Sequence, residues 1–429
     1  MGAQMAKTDL TKEEKSWILY DVGNSAFTML ACSLIPIWFK DLAIGTAPGQ
    51  ITGDQATAYY SIAISIVTVI VAVLGPICGV LSDHKGKKKI FFTTMVALGV
   101  IGCIANGFAT SWVAFIVIYV FARIFYQMSL VIYDSMLNDV TTEERMDRVS
   151  SYGYAWGYIG SCVPFIVAMI AYILSGGLSE DLMWFSPQVG KIIGYGVTGI
   201  WWFAVTVPLL KNYKQVNYTE AEHGAIAKVF SKIFGTLKKI ATEDKKVLFF
   251  LVAFFLYIDG VGTIIDNCIN IGTDLGLPTV GQVVFLLATQ VVAFGGSLVF
   301  ARLSKKFDTA TLILVCIVGY FCVCLYALTL HTLLDFGILA FGVGCFQGSI
   351  QSLSRSYFSK IIPPESSGEY FGIYDIFSKG ASFLGSAVIA WVKLAGGTIN
   401  IAVASLAIFF ALGFVFLKLA DMQPSARAR

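Results

Sequence analysis

Charge is scarce in this chain. Asp, Glu, Lys and Arg together make up 13% of its 429 residues, about half the roughly 25% usual in soluble domains. A water-facing fold would lack the polar residues needed to cover a sequence that is 57% hydrophobic. That composition also excludes a disordered chain and a nucleic-acid binder. Histidine is rarer still, at three. His84 and His223 fall in polar segments and His331 at a turn, so surface solvation is the expected role of each. The nine cysteines sit mostly inside apolar runs, as at Cys32, Cys78, Cys103, Cys316, Cys322 and Cys324. With no CxxC or Cys/His cluster of zinc spacing, they read as small packing residues, and no metal is expected. The apolar runs hold no paired carboxylate, phosphate-cradling loop or nucleophile triad. Neither an enzyme nor a cofactor is expected. No signal-peptide pattern opens the chain, whose first 16 residues are polar and mixed in charge.

What the chain has is long apolar runs. One spanning helix takes about 20 such residues. Runs of that length fall at 17–39, 58–82, 90–109, 112–137, 149–175 and 188–210, then at 246–270, 279–302, 310–330, 334–357, 370–393 and 398–420. They are continuous rather than alternating, which excludes barrel strands. The expected fold is an all-α membrane protein of twelve transmembrane helices in two six-helix halves. The expected division is 1–210, a linker at 211–245, and 246–429. All but six of the 30 Lys and Arg residues fall on one set of loops and ends; the exceptions are Lys40, Lys191, Lys393, Arg123, Arg355 and Lys379. The positive-inside rule then places both termini in the cytoplasm of a plasma-membrane protein.

Within the linker, Thr219 to Glu222 fits a capping box. After it Ile226, Val229, Phe230, Ile233, Phe234, Leu237 and Ile240 recur at helical spacing, with lysines between. Two readings stay open: an amphipathic helix on the membrane surface, or a tether packed on the bundle end. The halves carry weak internal likeness. Gln127-x-Ser129 answers Gln347-x-Ser349, and Leu19-Tyr20-Asp21 answers Leu256-Tyr257-Ile258-Asp259. Repeats of this kind underlie alternating-access transporters, with the site between the halves.

A charge in hydrocarbon costs several kcal/mol, roughly 2.5–3.5 on insertion scales, so the few inside spans are informative. Asp21, Asp134, Arg355 and Asp375 lie within about two turns of the cytoplasmic helix ends at 1.5 Å per residue. They read as gate ion pairs or as fixed packing pairs. Arg123, Asp259 and Lys379 lie deeper and read as cavity residues or again as packing pairs. Asp259 is the candidate proton carrier, since a buried acid near a cation can titrate. Asn24, Gln127, Thr263, Asn267, Gln347 and Gln351 are candidate polar lining, and Trp156 and Tyr374 candidate walls. Pro36, Pro76, Pro164 and Pro208 are expected to kink their helices.

The loop Gly79-Val80-Leu81-Ser82-Asp83-His84-Lys85-Gly86-Lys87-Lys88 resembles the loop signature of the major facilitator superfamily. Gly79, Asp83, Gly86, Lys87 and Lys88 match it, and His84 stands where Arg or Lys is usual. In the second half the equivalent stretch, Ala301 to Ala310, has Lys305 in place of the Asp. Further stretches resemble the vacuolar amino-acid effluxer-like branch: Trp17 to Asp21 with Asn24 to Phe27, Tyr133 to Leu137, Asp259 to Ile265, Leu353 to Phe358, and Phe371 to Asp375 with Lys379. The resemblance implies the two-half major facilitator fold and secondary transport of a small solute, amino acids first. Arg123 stands where many proton-coupled exporters of the superfamily carry an Arg. A sugar or other metabolite, or a non-transporting solute sensor, is the alternative. The expected partners are a small molecule and the bilayer, with no nucleic acid, and the expected state is a monomer.

Overall fold

The computed structural model describes residues 10–47, 49–177, 179–220, 225–380 and 383–424. Helix α1, Lys12–Cys32, opens on a reciprocal cap in which Thr11 Oγ1 accepts from Glu14 N and the Glu14 carboxylate accepts from Thr11 N. It breaks at Ser33 and continues as α2, Leu34–Ala43, bent by 41°. Pro36 accounts for the break. It has no N–H to offer the carbonyl of Cys32, four residues earlier, and its ring crowds that carbonyl. The first half is completed by α3 (Gly53–Ser82), α4 (Lys88–Asn106), α5 (Trp112–Ser135), α6 (Met146–Tyr172) and α7 (Pro187–Asn212). Pro76, Pro164 and Pro208 lie inside α3, α6 and α7 without ending them.

The linker holds α8, Ala225–Thr242. Then come α9 (Lys245–Asp266), α10 (Cys268–Asp274), α11 (Thr279–Leu303), α12 (Thr309–Tyr326) and α13 (Leu333–Ile361). The chain ends with α14 (Ser367–Gly380), α15 (Phe383–Leu394), α16 (Ile399–Ser405) and α17 (Ala407–Asp421). Among the described residues, ten helical stretches are long and apolar enough to cross a bilayer, and α1 with α2 makes an eleventh when counted as one bent span. The expected span at 370–393 is carried by α14 and α15, on either side of residues 381–382, which lie outside the described residues. The twelve-span layout is therefore consistent with the helices, with one span divided.

Two hydrophobic cores form. One gathers Trp17, Phe27, Trp38, Tyr126 and Trp202 from α1 to α7. The other gathers Phe250, Phe254, Tyr320, Phe358 and Phe410 from α9 to α17, and Val131 of α5 joins it across the seam. At that seam α3 packs on α14, and α6 packs on α11 and α13. The repeated tyrosines do matching work. Tyr20 shares a hydrogen bond with Ser129 at 2.7 Å, and Tyr257 one with Ser354 at 2.6 Å. The second partner is Ser354, just over a turn beyond the expected Ser349.

Glu14 meets Arg145, Asn217 meets Asn138, Lys246 lies over Tyr357, and Asp421 lies within electrostatic range of the same Tyr357. Both described chain ends, the linker and the loops at 83–88, 139–147 and 361–367 thus gather at one end of the bundle, the linker end. Helix α8 packs there against α3 and α9. Val229 and Ile240 are buried, and Lys232 lies 3.7 Å from the Glu369 carboxylate. Phe230 and Phe234, expected on its apolar stripe, are exposed. The proposed cap at Thr219 to Glu222 runs into residues 221–224, outside the described residues; Thr219 itself pairs with the 83–85 loop.

Candidate solute pathway and gate

The polar residues that the sequence spreads along the chain converge at the seam. Arg355 of α13 is 2% exposed and ties three helices of the first half together. Its Nη1 donates to Asp134 Oδ1 at 3.0 Å and its Nη2 to Asp21 Oδ2 at 3.1 Å. Its Nε donates to Ser150 Oγ at 2.9 Å. Trp17, Tyr133 and Tyr154 place their rings 4.5, 5.5 and 4.6 Å from the guanidinium. Asn24, expected in the cavity, instead donates to Asp21 Oδ1 at 3.1 Å and steadies that acid.

A second joint uses the motif loop. Asp83 accepts from Gly368 N and Glu369 N, each at 2.9 Å. These are amides of the first turn of α14, where the helix dipole favours an acid. A Cβ on Gly79 would lie 2.1 Å from the Gly368 carbonyl, so only glycine lets α3 and α14 approach this closely. Gly86 supplies the turn with φ of +74°. Lys87, which matches the motif, is exposed. The working lysine is the next one, Lys88, which is fully buried. Its Nζ lies 3.2 Å from Asp83 and 3.8 Å from Asp139, and donates to Ser367 Oγ at 2.9 Å.

The third joint was not legible from the motifs. Asp147 on the first turn of α6 accepts from Lys360 Nζ at 2.7 Å, from Thr309 Oγ1 at 2.8 Å and from the Ser356 hydroxyl. It answers the Asp83 joint with its polarity reversed. In the first half the loop supplies the acid and the opposing helix start supplies donors. In the second half the degenerate loop supplies Thr309, and the acid stands on the opposing helix. Lys305, standing where the acid was missed, is not one of the groups that meet Asp147.

Further along the seam the picture changes. Lys379 pairs with Asp375 one turn earlier on α14, in the acid-first order that favours the pair. Arg123 and Asp134 both lie within electrostatic range of Lys379. Arg123 sits over Tyr126 at 5.5 Å, near Tyr60, Tyr119 and Cys32. Its Nη1 finds no hydrogen-bond partner among the described residues. Tyr126 in turn shares a hydrogen bond with Thr28.

Asp259 differs from the expectation of a cavity acid. It is fully buried, and its Oδ2 accepts from Gly385 N at 2.9 Å, at the start of α15. Thr263 is buried beneath Gly385, where an added Cβ would lie 2.2 Å from its hydroxyl. Asn267 donates to the Thr263 carbonyl at 2.9 Å. These three residues of α9 and its end shape the divided span rather than an open surface. Gln347 meets the Tyr158 hydroxyl across the seam, while Gln127 and Gln351 are half-buried. Tyr374 stacks on Phe254 at 4.1 Å and Phe358 at 4.8 Å, within the second core. Trp156 is 48% exposed, packs edge-on against Phe294, and shares the exposed face of α6 with Val163 and Ile170. Among the described residues, no group of three His, Cys, Asp or Glu could hold a metal ion.

The family described as "Vacuole effluxer Atg22 like" matches residues 138–429. The chain is 38% identical over 418 residues to the uncharacterized MFS-type transporter YxiO of Bacillus subtilis, covering 97% of this chain and 96% of that one. It is 24% identical over 307 residues to autophagy-related protein 22-1 of Neosartorya fischeri, covering 65% of this chain and 49% of that longer protein. Among solved structures it resembles the transporter FucP in the outward conformation, with a TM-score of 0.72 at 14% identity over 96% of this chain and 98% of that one. The proton:xylose symporter XylE aligns with a TM-score of 0.69 at 12% identity over 97% and 96%. A nearly all-helical membrane-spanning chain, the motif loop at work in the seam, and relatives along nearly the whole length lead to one conclusion: this chain belongs to the Atg22-like family of major facilitator transporters.

Proposed function

We propose that the protein carries a small polar solute, an amino acid or a similar metabolite, across the plasma membrane by alternating access, and that the movement is coupled to protons. The observation that carries this reading is the distribution of joints. Three charged joints between the halves, around Arg355, Asp83 and Asp147, all lie at the linker end. Beyond them lies Arg123, with a donor that has no partner among the described residues. Ion pairs and hydrogen bonds can be exchanged for water at modest net cost, so such joints suit an end that opens and closes. The bias of Lys and Arg supports a cytoplasmic linker end and cytoplasmic termini. On that reading this state is closed to the cytoplasm and faces outward. The protein acts as a monomer in the bilayer.

Asp259 is the coupling residue of this reading, through its bond to the start of α15. Protonation removes the charge that holds the Gly385 amide, so proton uptake and movement of α15 become one event. The test is uptake of labelled amino acids, hexoses and carboxylic acids into proteoliposomes, with and without an imposed pH gradient. Gradient-driven accumulation of one class is expected. In Asp259→Asn, accumulation should fall to the no-gradient level while solute exchange persists. Unchanged accumulation in that variant would remove Asp259 from the mechanism. Solute binding without flux would make the protein a sensor.

A further inference from the structure

The linker helix α8 carries two different faces. Val229 and Ile240 are buried at the bundle end, where α8 packs on α3 and α9. Successive residues turn about 100° around a helix, so these two lie nearly on one line. Lys232 stands on one flank of that line and reaches the Glu369 carboxylate at 3.7 Å. Phe230 and Phe234 stand on the other flank, about 100–140° from the buried line. They are 55% and 69% exposed, and the exposed Ala241 lies on the same side.

Exposed rings are ordinary on spanning helices, whose outer faces meet hydrocarbon. Helix α8 is not one of the helices apolar enough to cross a bilayer, so its two rings need another cover. The charge beside them points to its nature. From Lys228 to Lys246 the chain has six lysines against Glu243 and Asp244, a net charge of +4, while the whole chain carries +3. This one segment holds all of the protein's positive excess. Lys238 and Lys239 are exposed, and Lys239 lies 3.9 Å from Asp244. An apolar flank bordered by lysines is the pattern of a helix that lies in the headgroup layer of an anionic membrane. The linker end of a spanning bundle is where such a layer is found.

We propose that α8 docks on the anionic lipid surface around the bundle. Phe230 and Phe234 insert among the headgroups, and Lys238 and Lys239 face the lipid phosphates. The buried face keeps the helix on the bundle at the same time, so both readings of the linker apply, each to its own face. The helix thereby joins the lipid surface to the seam, because Lys232 holds Glu369, whose amide donates to Asp83. This inference goes beyond the transport reading and does not depend on the solute.

The test places one copy of the full chain per nanodisc, in phosphatidylcholine alone or mixed with phosphatidylglycerol. In a cysteine-free background, a nitroxide at Ala241→Cys reads the Phe230 and Phe234 flank. A second, at Gly235→Cys, reads a side about 120° away, where an added Cβ meets nothing within 4 Å. In the anionic discs oxygen should relax the Ala241 label and a water-soluble nickel chelate should not. The Gly235 label should show the reverse. In phosphatidylcholine alone, and in Phe230→Ser with Phe234→Ser, the Ala241 label should shift to the Gly235 pattern. Lys238→Gln with Lys239→Gln should raise the share of phosphatidylglycerol needed for the same shielding. In detergent the double serine variant should melt with the wild type; a lower melting temperature would mean that the rings pack on the bundle. That result, nickel access to Ala241 in the anionic discs, or equal shielding in phosphatidylcholine alone would each overturn the proposal. So would shielding seen only in vesicles that hold many copies, which would assign the face to a second copy of this chain.

Discussion

Removing Arg355 should unlock the linker end. Its guanidinium pairs with Asp21 and Asp134 at 3.1 and 3.0 Å, and Arg355 and Asp21 are 2% and 6% exposed. Arg355→Gln leaves two carboxylates facing each other in a buried seam. Breaking a buried pair by deleting one partner costs about 3–5 kcal/mol. That cost falls on the state in which the seam is shut, because separated halves let water hydrate both acids. A difference of this size shifts the equilibrium between closed and open linker ends by a factor of roughly 10²–10⁴. The assay is the distance between spin labels at Lys89→Cys and Glu365→Cys in a cysteine-free background. These positions are exposed, Lys89 at the start of α4 and Glu365 in the turn before α14, on opposite halves at the linker end. The wild type should give a short distance, and Arg355→Gln a population at longer distance. Arg355→Lys keeps the charge and loses the fork, so it should fall between. An unchanged distance distribution alongside a lowered melting temperature would refute the reasoning, and Arg355 would then be a packing residue.

Other expectations follow from the same seam. Gly79→Ala puts a methyl group 2.1 Å from the Gly368 carbonyl, a backbone atom that cannot swing away, so the same spin-label pair should report an opened linker end. Lys88→Met should cost about 3–5 kcal/mol, because Asp83 is left buried without its cation, and hydrogen exchange at Gly368 and Glu369 should rise. Asp147→Asn and Lys360→Met should show a coupling energy of about 0.5–3 kcal/mol in a double-mutant cycle read by thermal unfolding; additivity would mean that the 2.7 Å contact contributes nothing. Trp156→Ala should leave flux unchanged, since the ring packs edge-on against Phe294 beside the exposed Val163 and Ile170; lost flux would place Trp156 in the pathway.

Much of this molecule is legible in its sequence because the bilayer imposes one rule on every segment. A run that cannot find water for its backbone must be a helix, so the length and continuity of the apolar runs determine the spans. The placement of Lys and Arg expresses a topology in the same way. The gate acids and Arg355 stand out for a similar reason: a charge in hydrocarbon demands a partner. The pairing itself is another matter. Sequence separation says nothing of which acid meets Arg355, and the answer, Asp21 and Asp134, lies 334 and 221 residues away. Nor could the motif distinguish Lys87 from Lys88. A one-residue step turns a side chain about a quarter-turn around the helix start, enough to put one lysine in water and the other beside Asp83. Asp147 carried no signal at all, since its partner loop had lost the family's acid, and only the packed seam reveals that the joint was rebuilt from the other side. Asp259 and Asp21 answer each other in sequence, yet one caps a divided helix and the other faces an arginine. Composition and periodicity settled the solvent and the helices. Which polar atoms share a seam was decided by tertiary packing, because hydrogen bonds and ion pairs act over about 3 Å and depend on which helices meet.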